Sequence, residues 1–441
     1  MTVGPRTFLF VTWEGGGNVP PILGVARRLI KRGHVVRVIS DPCNEHDVRA
    51  VGASFVPYTR APHRHDKDAA STLVKDYAEK NSAASFRVWL DTIACGPALA
   101  YAQDVHAELE QHPADVVVVS ELLFGGLFAA EKAGVPCTMV VPGTYTLPAP
   151  GMPPPGMLPM TGIGGWLRDR LARFMVERFF GTQLPALQHA RLELGLPPLD
   201  RPLAYIEQLD RVLVLTSHAF EFAATFPANV RVVGPILDDP AWTAPWQSPW
   251  PADHQDPLVV VGFSTTFQNH RPQVQRVIDA LTGWPVRGLV TLGPALQPAD
   301  FHTPPNVVLC ESAPHTQVFP HACAVVTHAG HGTVIRALAH GVPLVCMPLG
   351  RDQPGNAARV VFHEAGLRLA STVPVETIRR TIQRVVSEPL FRDRAQKLGQ
   401  LIKEEAQAET AIAELEQLAE QRPVRSALLP PLHEASRSQG S

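Results

Sequence analysis

Residues 327–357 read THAGHGTVIRALAHGVPLVCMPLGRDQPGNA. An imidazole, His328, is followed closely by Gly330, His331, Gly332 and Thr333, and a second polar pair, Asp352-Gln353, stands further on. These residue types suit one kind of chemistry, the holding of an anion. Glycines let a backbone come close to a ligand and present its N–H groups. The Thr333 hydroxyl and the His328 ring add side-chain donors, and His331 flanks the same helix start.

The elements around the block would point these groups at one place. An apolar run at 324–326 ends at Thr327, and the pattern then breaks at His328, Gly330 and Gly332. Residues 334–340 read as a helix stopped by Gly341, and 342–347 as a second apolar run halted by Pro348. This is strand, glycine loop, helix, strand. Such a loop lies beyond the carboxyl end of its strand and at a helix N-terminus, where unpaired N–H groups and the helix dipole attract anions. Glycines alone would fit a tight turn between packed elements. His, Thr and Asp-Gln in the same block favour a ligand site.

The chain has 441 residues, enough for two or three domains, and 45% of them are hydrophobic. With 39 basic and 41 acidic residues there is no broad basic field for nucleic acid and no polybasic membrane patch. No apolar run approaches the roughly 18 residues of a membrane span, and the opening MTVGPRTFLFVTW lacks the layout of a signal peptide. Six cysteines without a C-x-x-C pair fit reduced thiols in a cytoplasmic protein.

Strand and helix patterns alternate twice along the chain. In the first half, 8–11, 35–39, 116–119, 137–141 and 212–215 read as strands, the last closing that half. Helices are expected at 21–32, 124–132 and 166–180. The second half starts afresh with strands at 258–261, 286–291, 307–309, 324–327 and 344–347, and a helix at 273–281. This alternation predicts an α/β protein with two doubly wound parallel sheets and a cleft between them. The expected boundaries are 1–233, a Pro- and Trp-rich linker at 234–256, 257–390, a helical segment at 391–421 and a disordered tail at 422–441. Residues 142–164 are too rich in Pro and Gly for a regular element. They either line a pocket with their apolar side chains or pack as a plain loop.

Three stretches together resemble the family 1 glycosyltransferases of GT-B fold, in particular actinobacterial enzymes that decorate natural products with sugars. They are APHTQVFPH through THAGHGTVIRALAHGVPLVCMPLGRDQPGNA, the opening FVTWEGGGNVPPILGVARRLIKRGHVV, and GFSTTFQN. The resemblance implies two facing Rossmann-like domains, with 1–233 for the acceptor and 257–390 for the nucleotide sugar. It implies that His328 and Gly330 to Thr333 hold a diphosphate, with Ser264 and Thr265 approaching from the facing loop. Asp352 and Gln353 would bond sugar hydroxyls, and Ser312 to His315 would lie beside the nucleobase. The implied partners are a dTDP- or UDP-hexose or deoxyhexose and a hydrophobic small molecule, with direct inverting transfer and no metal or further cofactor.

Departures from the family pattern concern catalysis. The place of the usual general base falls at Asn18, and Asn cannot deprotonate a hydroxyl. The place of the partner acid falls at Ser120, beside Glu121. A displaced base at Glu14 or Glu121, an already nucleophilic acceptor, and donor binding without catalysis remain open, as does a GT-B epimerase. Asn18 could equally cap the helix that follows it, and Glu14, before three glycines, reads as solvated. The carboxylate that usually takes the ribose hydroxyls aligns with Arg336, which cannot accept from them. That favours dTDP over UDP, unless Arg336 is an exposed helix residue. His63, His65 and Asp66 resemble metal ligands, but with no second pair nearby a solvated loop is the simpler reading.

Overall fold

The computed structural model describes residues 4–79, 81–243, 245–251, 253–263 and 266–421. They build two wholly parallel sheets. The first contains β1 (Thr7–Val11), β2 (Val35–Ser40), β3 (Ser54–Pro57), β4 (Val116–Ser120), β5 (Cys137–Val141), β6 (Arg211–Val214) and β7 (Val230–Val232), in the order β3-β2-β1-β4-β5-β6-β7. The second contains β8 (Leu258–Gly262), β9 (Arg287–Thr291), β10 (Val307–Cys310), β11 (Ala322–Thr327), β12 (Leu344–Cys346) and β13 (Gly366–Arg368), in the order β10-β9-β8-β11-β12-β13.

Short valine-rich runs form these strands because both sheet faces are covered. VVVVS, CTMVV and LVVVG are buried along their whole length, as expected of parallel strands between two helix layers. Along β1, Leu9 and Val11 enter the core on one face, while Phe8 and Phe10 enter the core on the other. Each sheet reverses its winding once, between β1 and β4 and between β8 and β11. Ligands of such sheets sit beyond the strand ends at these reversals.

The structure changes some expected elements. The strand at 212–215 does not close the first half, because β7 pairs outside it. β3, β7 and β13 are short edge or near-edge strands of three or four residues that carry little pattern. The expected helix at 391–420 is two helices, Pro389–Gln407 and Thr410–Glu420, broken where Glu409 turns to φ +50°. The first packs Ala395, Leu398 and Ile402 into the second sheet's core. The second returns to the first sheet, where Ile412, Leu415 and Leu418 join Phe8, Val38 and Ile22. Arg32 and His34 meet Glu416 there. The expected tail at 422–441 lies outside the described residues.

The 142–161 connection divides its apolar content. Tyr145, Leu147 and Ala149 are buried, whereas Met157, Leu158 and Met160 are exposed. The helix Gly162–Gly181 that follows also leaves Ile163, Trp166, Leu167, Leu171, Phe174 and Met175 exposed.

Candidate active site

At the β8/β11 reversal, β11 delivers His328 from its carboxyl end. The ring lies 6.2 Å from Phe263, and Phe263 in turn stacks with His270 at 6.3 Å. His328 Nδ1 is 3.3 Å from the Thr327 hydroxyl. A Cβ at Gly330 would stand 2.6 Å from His328 Nε2, so any side chain there would have to displace the His328 ring. Burial pushes the His328 pKa down to about 3, and the nearby His270 and Arg351 add to the shift. The ring is therefore neutral near pH 7 with one N–H donor, for which the Gly262 carbonyl competes with any ligand.

The helix His331–Ala339 starts earlier than its apolar pattern suggested, with Gly330 at its cap. His331, Gly332 and Thr333 thus form the first turn; the Thr333 N–H reaches the Gly330 carbonyl at 3.1 Å, while those of His331 and Gly332 lack helical acceptors. The His331 ring is engaged by the other half: its Nε2 pairs with the Thr216 hydroxyl at 2.9 Å. Asp352 occupies the cap position of the helix Gln353–Phe362 without capping it. Its carboxylate instead accepts from Asn356 Nδ2 at 2.7 Å, and burial raises its pKa. Gln353 is buried; its oxygen accepts from the Leu349 and Gly350 N–H groups, and its Nε2 donates to Gln268. Ser312 is exposed. His315 stacks on Phe319 at 4.3 Å, and Asp239 accepts from its backbone N–H. Ser264 and Thr265 lie outside the described residues.

Arg336 is not an exposed helix residue. It is 8% exposed, and its guanidinium donates to the Leu237 and Asp238 carbonyls of the connecting segment. The cation thus fastens the helix to the segment between the halves.

The β1/β4 reversal is organised differently. Asn18 stands at the helix start but makes no side-chain cap bond. Its amide closes the glycine loop on itself, with Nδ2 donating to the Trp13 carbonyl at 2.9 Å and Oδ1 accepting from the Gly15 N–H at 3.1 Å. Glu14 is not solvated. It is 5% exposed, accepts from the Gly16 N–H at 2.7 Å and lies 3.8 Å from Lys67. Burial raises its pKa, and Lys67 and Arg64 act against that rise. Ser120 is the buried last residue of β4.

Glu121 follows and is half-buried. It accepts from the Thr146 hydroxyl at 2.8 Å, and its pKa is raised to about 7 by burial, with the Asp352 carboxylate of the other half adding to the shift. Of six non-glycine residues with positive φ among those described, four flank these loops: Leu122, Asn269, Ala329 and Arg351. Strained backbone of this kind persists only where the surroundings dictate it, and it gathers at functional sites.

The halves also meet directly. Arg359 and Glu221 form an ion pair that is almost wholly buried, with a 2.9 Å bond from Nε. Thr144 bonds Asn356 at 3.2 Å, and Arg351 reaches Asp76. Among the described residues no group of three His, Cys, Asp or Glu side chains is placed to hold a metal ion, and no helix is long and apolar enough to cross a membrane. His63 is spent on the Ala61 carbonyl and packs edge-on against His65.

Comparison with known proteins decides the family. Residues 276–420 match the C-terminal domain described as erythromycin biosynthesis protein CIII-like. The 4'-demethylrebeccamycin synthase of Lentzea aerocolonigenes is 30% identical over 402 residues, covering 88% of this chain and 94% of that protein. The chain is a natural-product glycosyltransferase. Its two sheets match those of solved GT-B glycosyltransferases. The glycotransferase of kitacinnamycin superposes with a TM-score of 0.74 at 21% identity, covering 94% of this chain and 99% of that one. Glycosyltransferase VinC, solved in complex with dTDP, gives 0.66 at 18% identity, covering 94% and 100%.

Several residues that shape this glycosyltransferase's cleft carried no signal in the sequence. Thr146 partners Glu121 from the far end of β5, and Arg359, Glu221 and Asp76 are ordinary charged residues until the two halves face each other. His270 left one trace, an imidazole at the end of the loop opposite His328. Its ring is fully buried, and among the described residues Nε2 has no hydrogen-bond partner.

Proposed function

We propose that the chain moves a hexose or deoxyhexose from a dTDP-sugar, or a UDP-sugar, to a hydrophobic small molecule, with inversion at the anomeric carbon. The acceptor's nucleophilic atom attacks that carbon and its proton passes to the Glu121 carboxylate. The bond to the diphosphate oxygen breaks, and the departing diphosphate keeps the electron pair. The first turn of His331–Ala339 and the neutral His328 ring would hold that charge, which makes a metal unnecessary for departure. Asp352 and Gln353, after rearrangement of their present bonds, would take sugar hydroxyls.

One observation carries this reading: Glu121 stands directly after the carboxyl end of β4, accepts from the Thr146 hydroxyl at 2.8 Å, and has its pKa lifted to about 7 by burial, with Asp352 of the other half adding to the shift. A base poised near the working pH is what proton abstraction requires. Asn18 and Glu14 are less suited, since both are committed to their own loop. Arg336 aligns with the carboxylate that in the family meets the ribose hydroxyls and cannot accept from them, which supports dTDP, and VinC provides a fold neighbour with dTDP bound. Melting curves with dTDP, UDP, GDP and ADP test the donor. Saturation at about 100 times Kd stabilises a protein by roughly 2.7 kcal/mol. A shift led by dTDP supports the assignment, and the absence of a shift with any nucleotide overturns it.

A further inference from the structure

The connection after β3 crosses from the first half to the second. Asp76, in the short turn Asp76–Ala78, is 8% exposed. Arg351 of the second half grips it with two prongs, Nε to Oδ2 at 2.6 Å and Nη2 to Oδ1 at 3.0 Å. The remaining nitrogen of the same guanidinium, Nη1, donates to the Thr266 hydroxyl at 2.9 Å in the loop after β8. Next to this pair Tyr77 meets Phe267 edge-on at 5.0 Å. A planar fork on a carboxylate fixes direction as well as distance.

Two further facts make this more than a rim contact. Arg351 holds φ at +58°, a conformation that L side chains avoid, and it directly precedes Asp352. The same connection is anchored at its other end to the β1 and β2 loops, where the Arg64 N–H donates to Asp41 at 2.7 Å and Lys67 approaches Glu14. One strap therefore runs from the Glu14 loop to the residue before Asp352.

We infer that Asp76 and Arg351 are a positioning pair: the strap sets the turn that carries Asp352 and so registers the sugar end of the donor site against the acceptor half. The inference rests on the donor-site reading above for its meaning, but the coupling itself is testable without a ligand. Neither residue is assigned contact with a reacting atom.

Hydrogen exchange on the full chain tests it, with the wild type, Asp76→Asn, Arg351→Lys and the double variant, each with and without dTDP. Asp76→Asn is expected to speed exchange at 349–353, across the cleft from the substitution, at least fivefold. The melting temperature should stay within a few degrees. Arg351→Lys keeps the charge but loses the fork, and should speed exchange at 74–78 likewise. The double variant should be no worse than either single one, because both break one interaction. In the wild type dTDP should slow exchange at 74–78 as well as at 349–353, and in Asp76→Asn only at 349–353. Unchanged exchange at 349–353 in Asp76→Asn, or additive single effects, overturns the inference. A wild type that dTDP protects nowhere overturns the donor-site reading, while the ligand-free comparison still decides the coupling.

Discussion

The two sheet reversals of this molecule occupy equivalent places in equivalent folds, yet they are built from different materials. At β8/β11 the site consists of a helix start, glycine backbone and neutral imidazoles, with few charges of its own. At β1/β4 the loops carry carboxylates in unequal states: Glu14 locked beside Gly16 and Lys67, and Glu121 half-open with a pKa near 7. The first suits a ligand that brings negative charge, because fixed dipoles and neutral donors stabilise an anion without having to lose water first. The second suits a proton acceptor, because a carboxylate short of solvation holds a proton more tightly. The difference teaches that the fold supplies the place, while a few loop residues decide whether that place handles an anion or a proton.

Substitution at each reversal should break this contrast in its own way. Glu121→Gln carries the largest expected effect, a fall in kcat of about 10²–10⁴, with dTDP affinity little changed. Steady-state kinetics beside a dTDP titration would separate the two, and unchanged turnover would remove Glu121 from the mechanism. His328→Ala should cost about 10²–10³ in kcat, the usual loss for one donor to a developing anion, and should also reduce the melting shift given by dTDP. Equal binding of dTDP by the variant would falsify the role given to His328.

The pH dependence should separate the regions by sign. For the wild type, kcat/KM should rise with pH and level off above about 7, as Glu121 ionises. Stability carries opposed contributions from the two reversals. Between its ordinary pKa of 4.5 and about 7, folded Glu121 keeps a proton that the unfolded chain sheds, so its contribution is present at low pH and is lost as pH rises through that window. His328 and His331, each pushed down to about 3, behave oppositely: they contribute fully above pH 6.5 and progressively less as pH falls toward 3. Melting curves from pH 4 to 9 on wild type and Glu121→Gln should therefore show the variant gaining on the wild type from about pH 5 to 8, and sharing its loss at low pH.

Smaller effects are expected where a side chain serves only its loop. Asn18→His would restore the family's usual residue type, but it removes the bonds to Trp13 and Gly15. A loss of about 1–2 kcal/mol with no gain in rate is expected, seen as a lower melting temperature. A large rate gain would mean that the loop can open to admit a base.

The sequence made the second reversal legible because its parts are contiguous. Strand, His328, glycines, helix and Asp352 all fall within one block, and local pattern places them. The valine-rich strands were equally plain, since burial on both faces leaves an unbroken apolar run. The first reversal was legible only in part. Glu121 was visible as a carboxylate at the end of β4, but its pKa is raised by burial first and by Asp352 of the other half second, against the pull of the Thr146 hydroxyl, and neither the burial nor these distant partners can be read locally. Glu14 looked solvated because the residues that bury it, Asp41, Arg64 and Lys67, arrive from another strand end and a long connection. Arg336 looked free because its acceptors are backbone carbonyls, which no residue type announces. Edge strands of three or four residues were missed for a simpler reason, as too few positions repeat.

The helix Thr410–Glu420 has a consequence for how the molecule comes into being. Its Ile412, Leu415 and Leu418 complete the core over Phe8 and Val38, so the first half to leave a ribosome lacks part of its own interior until residues 410–420 have been made. That half must wait with an uncovered apolar face while some two hundred residues follow, a window in which aggregation competes with folding. Contacts between segments so far apart in sequence also slow the folding search. Pulse-labelling during synthesis should find the face around Phe8 and Ile22 among the last regions to become protected, after the second sheet has formed.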